Sequence, residues 1–296
     1  MTPQQEVERI RKRLGHLSME AKPVSYLKTG IPELNAVLGS PDRGIPYGRI
    51  YEISGWEGHG KSALALCLTA LAQKDGAEAI LGDFECSYDP RWVAARGVDV
   101  NKLHLLQPYV GTFGKEKTLR LCTAEELCSE IEAAMDRINR RGNKQILMID
   151  SVAAMMPEDE ASVGLEDRNM RTKMSLSVFL SSLLRRWVGL AHSYSAMIVF
   201  VNQLREKPMA FGDPAYTPGG KALKFYSHVR VRVNKTKGGN IRGKARGGVI
   251  GVQGIMTNTK NKVGGVQGTK VGYKLMFNGP VQFLDAEDMK REDGSE

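Results

Sequence analysis

Eight consecutive residues, Gly55-Trp56-Glu57-Gly58-His59-Gly60-Lys61-Ser62, satisfy the spacing G-x-x-x-x-G-K-[ST]. That spacing suits the holding of a phosphate chain. Its glycines let backbone N–H groups turn inward, and a helix that starts at the lysine adds the positive end of its dipole. Lys61 would reach the β- and γ-phosphates, and the Ser62 hydroxyl would bind Mg²⁺. With Ala63, these residues form the candidate nucleotide site. Asp150 follows an apolar run, Ile146-Leu147-Met148-Ile149. A carboxylate at the C-terminal end of a parallel strand faces the crevice where ligands bind. It suits the second Mg²⁺ contact, direct or through water. Phosphoryl transfer to water also needs a group that orients the water. Glu85 is the first choice as that base and Asp83 is its competitor; the residues alone do not separate them.

These groups need elements to position them. Residues 49–54 alternate and read as a strand, and the apolar residues 63–72 beyond the glycine turn suit a buried helix. Residues 79–84 and 103–107 are further strand candidates. Thr123-Ala124-Glu125-Glu126 is a capping box. It opens a helix with Leu127, Ile131, Ala134 and Ile138 on one face, closed by Gly142. Residues 145–149 predict a strand, 170–191 a helix and 196–201 a fully apolar strand. Alternating strands and helices predict an α/β fold, its mostly parallel central sheet covered by helices on both faces. After Phe225 the pattern changes. Residues 229–233, 249–257, 271–277 and 281–284 read as short antiparallel strands joined by glycine-rich turns. Residues 3–20 predict an amphipathic helix with Val7, Ile10, Leu14 and Leu17 at helical spacing, able to dock on a neighbour.

Net charge is +9, and its distribution says more than its size. Residues 214–284 contain no Asp or Glu but thirteen Lys and Arg. A long surface of one sign repels itself unless something anionic offsets it, which predicts a polyanionic partner. Residues 285–296 reverse the sign, with six acids against two bases, and are expected to form a mobile tail that screens the basic surface. With 42% hydrophobic and 25% charged residues the chain is globular, not disordered, collagen-like or a disulfide scaffold. Its apolar runs reach only six residues, against roughly 20 for a membrane span. The first residues lack the apolar stretch of a signal peptide. The four cysteines show no C-x-x-C spacing, so reduced thiols and a cytoplasmic location are expected.

From about residue 23 to about 284 the chain resembles the bacterial RecA recombinases. The resemblance is carried by Gly48-Arg49-Ile50-Tyr51-Glu52-Ile53-Ser54-Gly55 leading into the cradle, and by residues 85–90. Asp150-Ser151-Val152-Ala153-Ala154 and Val201-Asn202-Gln203 continue it. Gly219-Gly220-Lys221-Ala222-Leu223-Lys224-Phe225-Tyr226 and Lys260-Asn261-Lys262 complete it. The Gly-Gly-x-Ala-Leu-Lys-Phe-Tyr block separates this family from other ATPases with the same cradle. The resemblance implies a filament-forming, DNA-dependent ATPase that uses ATP and Mg²⁺ and pairs and exchanges DNA strands. It implies sequence-independent contact with single- and double-stranded DNA, and a homo-oligomer, helical filament or ring.

By the same resemblance, Glu85 is the catalytic glutamate, which decides against Asp83. Asp89 and Trp92 stand where the family holds adenine, tryptophan replacing the usual tyrosine. Gln203 is the γ-phosphate sensor and opens residues 204–220, which resemble the second DNA-binding loop. There Arg205, Lys207 and Lys221 are expected on phosphates, Met209 and Phe211 as wedges between bases, and Gly219 and Gly220 as part of the same site. The first DNA loop is expected near residues 158–171, with Arg168, Arg171 and Lys173 as contacts. Lys260 and Lys262 match a pair that reaches the ATP of the adjacent protomer, acting as an arginine finger does. Lys224 and Phe225 match a stretch that couples DNA binding to ATP across the protomer contact. The expected organisation is an N-terminal packing helix over 1–22, an ATPase core over 23–284 and an acidic tail over 285–296. Residues 111–122 have no counterpart in the family, its C-terminal domain is not matched, and the first DNA loop is reproduced poorly. Two other readings remain: an accessory ATPase that binds DNA without exchanging strands, and a small-molecule kinase on the same cradle.

Overall fold

The computed structural model describes residues 2, 4–6, 8–9, 23–113, 118–163, 166, 169–206, 215–243 and 248–287. Arg168, Lys207, Met209 and Phe211, most of segment 1–22 and most of segment 285–296 lie outside the described residues. So do the side chains of Arg171 and Lys173.

Short strands β1 (Tyr26–Leu27) and β2 (Ile45–Pro46) pair with each other around helix α1 (Pro32–Leu38). Pro32 starts that helix because its fixed φ already suits a first turn. β3 (Ile50–Gly55) runs into the glycine turn and α2 (Lys61–Lys74) leaves it. β4 (Glu78–Asp83), α3 (Pro90–Ala94) and β5 (Leu103–Leu106) follow. In the region expected to lack a family counterpart, β6 (Val110–Phe113) and β7 (Thr118–Leu121) pair as a two-stranded antiparallel hairpin.

α4 (Ala124–Arg140) opens on the expected capping box. Glu126 N donates to Thr123 Oγ1 at 3.4 Å, and Thr123 N donates to the Glu126 carboxylate at 2.8 Å. After β8 (Gln145–Asp150) come the single turn α5 (Glu158–Ala161), the long α6 (Met170–Tyr194) and β9 (Ala196–Gln203). β10 (Arg205–Glu206) and β11 (Ala215–Tyr216) pair as the stem of the loop after β9. α7 (Ala222–Tyr226) leads to β12 (Val229–Arg242), β13 (Val249–Asn261), β14 (Lys270–Met276) and β15 (Val281–Leu284).

Nine strands make one sheet, in the order β15-β14-β13-β12-β3-β9-β8-β4-β5. From β12 to β5 every neighbouring pair is parallel; β13, β14 and β15 add antiparallel strands at one edge. The antiparallel extension is therefore continuous with the α/β core, and β12 itself belongs to the parallel set. β12 and β13 also run well past the expected limits. Their register shifts between Lys235 and Asn240, so a bulge absorbs the glycines that read as a turn in the sequence.

Alternation explains how both sheet faces are covered. Ala79, Leu81, Ile146, Met148, Met197 and Val199 join a core with α1 and α2. Ile80, Leu147, Ile149, Ile198 and Phe200 join a second core with α4 and α6. Because successive residues are buried on opposite faces, the strands read as unbroken apolar runs. Trp187 of α6 is fully buried in the second core, and its Nε1 donates to Glu132 at 2.9 Å. All four cysteines are free, and among the described residues no helix is long and apolar enough to cross a membrane.

Candidate active site

Parallel pairing brings the chemistry to one edge. Gly55 pairs with Gln203 and Asp83 with Asp150, so all four stand at the C-terminal end of the sheet. Gly60 occupies the N-cap of α2 and no side chain caps it. The first N–H groups of α2 thus lack a side-chain acceptor, the condition under which a helix N-terminus receives an anion. Lys61 is buried and its Nζ donates to Trp56 O at 2.8 Å. Burial lowers its pKa, and the Asp150, Glu85 and Glu57 carboxylates oppose that shift. Asp150 is buried and accepts a hydrogen bond from Ser62; burial raises it to about 6, helped by Glu85 and Asp83. A hydroxyl and a buried carboxylate held together fit Mg²⁺, which keeps several waters and binds through few protein oxygens beside phosphates. Among the described residues no cluster of three or more His, Cys, Asp or Glu offers an all-protein metal site.

Glu85 and Asp83 have different surroundings. Asp83 is buried, and its Oδ2 accepts from Tyr88 N at 2.9 Å and from Gln107 Nε2 at 2.8 Å. Its oxygens organise the loop after β4. Glu85 is exposed, and its Oε1 accepts from Ser151 Oγ at 2.5 Å and from Gln203 Nε2 at 3.2 Å. Both bonds fall on one oxygen, so the carboxylate can hold a water on the other. Gln203 and Glu85 are thereby joined.

Beside the cradle lies an open cavity of about 280 Å³, lined by Gly58, Lys61, Trp92, Arg96, Leu275 and Phe277 among others. Its shape and apolar walls suit a nucleoside. The Arg96 guanidinium lies 4.9 Å from the centre of the Trp92 ring. It also donates to the carbonyls of Met276 at 3.0 Å, Phe277 at 2.7 Å and Gly279, tying the β14–β15 turn to that wall. Asp89 Oδ1 accepts from Arg91 N at 2.7 Å and Trp92 N at 3.2 Å, so it caps α3 and orients Trp92.

His59 does not turn toward the phosphate space. Its Nδ1 accepts from Lys235 N at 3.2 Å, and its carbonyl accepts from the Tyr273 hydroxyl at 2.7 Å. The cradle is therefore bolted to β12 and β14. Tyr273→Phe removes one such bond, worth about 0.5–1.5 kcal/mol. The expected result is a severalfold weaker affinity for nucleotide with the fold retained, measured by calorimetry.

A sequence profile for the RecA N-terminal domain matches residues 5–281. The chain belongs to the RecA family. It is 38% identical over 213 residues to Protein RecA of Clostridium novyi, covering 72% of this chain and 55% of the relative. It is 36% identical over 219 residues to Protein RecA of Aquifex aeolicus, covering 74% and 57%. It is 34% identical over 258 residues to Protein RecA of Symbiobacterium thermophilum, covering 87% and 65%. The matched region thus spans between about half and two thirds of each relative's length.

In this RecA-family chain Lys260 and Lys262 do not approach their own cradle. β13 runs antiparallel, and Lys260 lies opposite Arg230, which lies opposite Glu52. Glu52 is three residues before Gly55, about 10 Å back along the strand at 3.3 Å per residue, and Lys262 is farther still. Lys260 Nζ instead donates to the carbonyls of Lys224 at 2.7 Å and Phe225 at 2.9 Å. Lys260, Lys224 and Phe225, which is 66% exposed, thus share one surface away from the cradle. Gly219 and Gly220, at φ 89° and 72°, close the loop after Gln203 onto α6. A Cβ on Gly219 would stand 2.3 Å from Leu180, and one on Gly220 would stand 2.8 Å from Ser177 Oγ. Arg205 is exposed on the stem and Lys221 is exposed beyond it.

Sequence reasoning missed several contributors. Ser151 is next to Asp150 and could have been read from that neighbourhood. Arg96 lies four residues after Trp92, a helical spacing that could have paired them. Tyr273 carries no signal, because its partner is a carbonyl 214 positions away.

Proposed function

We propose that this chain is a DNA-dependent ATPase that assembles head-to-tail on single-stranded DNA and exchanges it into homologous duplex. The observation that carries the reading is the separation of the site into two halves. Cradle, base and sensor share one edge of the sheet, whereas Lys260 and Lys262 share a different surface with Lys224 and Phe225. A second copy, related by a heterologous contact, supplies the missing cations, and such a contact repeats into a helix or closes a ring.

In the assembled protein the α2 N-terminus and Lys61 hold the triphosphate, and Trp92 and Phe277 flank its base. Ser62 and Asp150 would hold Mg²⁺, which would supply neutralisation of the charge that develops on the phosphates. Glu85 orients the attacking water and takes its proton. Gln203 releases Glu85 to contact the γ-phosphate, which shifts the loop that begins at Leu204. Arg205, Lys207 and Lys221 then grip DNA phosphates without reading sequence, and base pairing between strands tests homology. Met209 and Phe211 separate base steps, at a cost of a few kcal/mol each.

The test is ATP turnover with and without single-stranded DNA across a salt series, with electron microscopy of the mixture. Expected are a rise of at least about tenfold with DNA, filaments in the same sample, and affinity falling steeply with salt, slope about −0.7 per neutralised phosphate. Turnover indifferent to DNA overturns the reading. Stimulated turnover without strand exchange, on homologous or heterologous duplex, assigns the accessory role instead.

A further inference from the structure

Glu52 is a buried carboxylate in β3 that the nucleotide chemistry leaves unused, and its environment is unusual. It sits in the middle of the sheet, 1% exposed, with its carboxylate paired to the Arg230 guanidinium of β12. Removing two charges from water is costly, and replacing such a pair by apolar side chains is often neutral or stabilising. Fold stability alone therefore gives no reason for it.

Its other partner gives one. Asn202 Nδ2 donates to Glu52 Oε1 at 3.1 Å and to Pro218 O at 3.2 Å. Both neighbours are acceptors, so the amide nitrogen must face them and Oδ1 must face the other way. There it accepts from Gln203 N at 3.0 Å. Glu52 thus fixes the amide that holds the backbone of Gln203, whose side chain is bonded to Glu85. On its other side Glu52 holds Arg230, which faces Lys260 across the β12–β13 ladder. A second route leaves Asn202 through Pro218 and Gly219–Gly220 into α7, whose carbonyls at Lys224 and Phe225 hold Lys260 Nζ. Both routes start at the residue beside Gln203 and end at Lys260, one at its place in the ladder and one at its ammonium.

We propose that Glu52 and Arg230 are positioning residues that set Lys260 according to the state of Gln203 in the same protomer, so that ATP bound at one site readies the lysine serving the next. This rests on the head-to-tail ATPase reading above. A chain of contacts becomes coupling only when a change at one end alters the other, and the test is built on that requirement.

Glu52→Gln keeps the shape but must place its amide donor against either Arg230 or Asn202. Expected are a melting temperature and nucleotide affinity close to the parent, unchanged KM for ATP, and DNA-stimulated kcat lower by about tenfold, within the usual range of site–site coupling. Mixing then tells positioning from general damage. Copies carrying Glu85→Gln have no base, yet they keep an intact Glu52–Arg230 pair and a correctly set Lys260. Placed beside a Glu52→Gln copy, they complete its site, and half of the Glu52→Gln copies have such a neighbour, so an equimolar mixture should turn over about fivefold faster per Glu52→Gln copy than that variant alone.

The apolar double variant E52L/R230M, which leaves no buried charge unpaired, should show the same loss and the same rescue. Parental kcat in either variant overturns the inference. So does a loss that mixing does not relieve, because the pair would then serve only its own site. A parent that DNA does not stimulate overturns the ATPase reading and the inference together; a stimulated parent with an unaffected variant overturns the inference alone.

Discussion

Glu85→Gln is expected to keep ATP and single-stranded DNA binding within about twofold of the parent and to lose turnover by about 10²–10⁴-fold, the usual contribution of a positioned acid or base. The retained binding follows from geometry. A glutamine oxygen at the same place still accepts from Ser151 Oγ and Gln203 Nε2, so the loop after Gln203 keeps its anchor. What disappears is the proton acceptor. Single-turnover hydrolysis, measured with protein in excess over ATP, isolates that step from product release. Hydrolysis at the parental rate in this variant would remove Glu85 from the mechanism. The contrast with Asp83→Ala sharpens the result. Asp83 is buried and its Oδ2 accepts from both Tyr88 N and Gln107 Nε2, so removing the carboxylate leaves two donors without their acceptor and disturbs the loop. Its effect should appear as lost stability, not as a selective loss of kcat.

Much of this site is legible in the sequence because its signals are local. The G-x-x-x-x-G-K-[ST] spacing, the strand before it and the helix after it lie within a few turns of chain, and the observed β3 and α2 differ from expectation by two residues or fewer at each end. Asp150 is equally local, closing an apolar run that becomes a fully buried strand. The capping box at Thr123 forms as read because both its hydrogen bonds span three residues.

Less legible are the features made by distant pairing. β12 reads as five residues because the glycines at 238 and 239 signal a turn, yet a bulge carries the strand through them. Hairpin β6–β7 exposes Val110 and Leu119, so it lacks the clean alternation of a half-buried pair. Glu52 reads as an ordinary polar position in an alternating strand. Only the register across β9, β3 and β12 shows that it is buried against Arg230 and Asn202. Tertiary pairing decides these cases, and a single sequence carries no distance between residues 150 positions apart.

The other large effect concerns the lysines on the opposite surface. Lys260→Ala is expected to retain nucleotide binding at the cradle and to lose turnover by about a thousandfold, the scale of a trans-supplied cation at a phosphoryl transfer. Lys61→Ala is expected to be inactive for the complementary reason, having an intact Lys260 and a defective cradle. Neither variant alone contains a complete site. A random equimolar mixture contains complete sites at about a quarter of its head-to-tail contacts, so hydrolysis should appear on mixing two inactive preparations. A mixture as inactive as its components would exclude a shared site.

Charge adds a second test. Burial, followed by the charges of Lys262 and Arg230, pushes Lys260 down to about 8, so the free protomer loses this charge as pH rises through that value. A neighbouring triphosphate favours the charged form, so assembly with ATP above pH 8 must take up protons. Turnover of the parent should therefore fall on the alkaline side more steeply than that of Lys260→Arg, because a guanidinium stays charged throughout the range. Identical alkaline limbs for the two proteins would show that the charge of Lys260 plays no part in the rate.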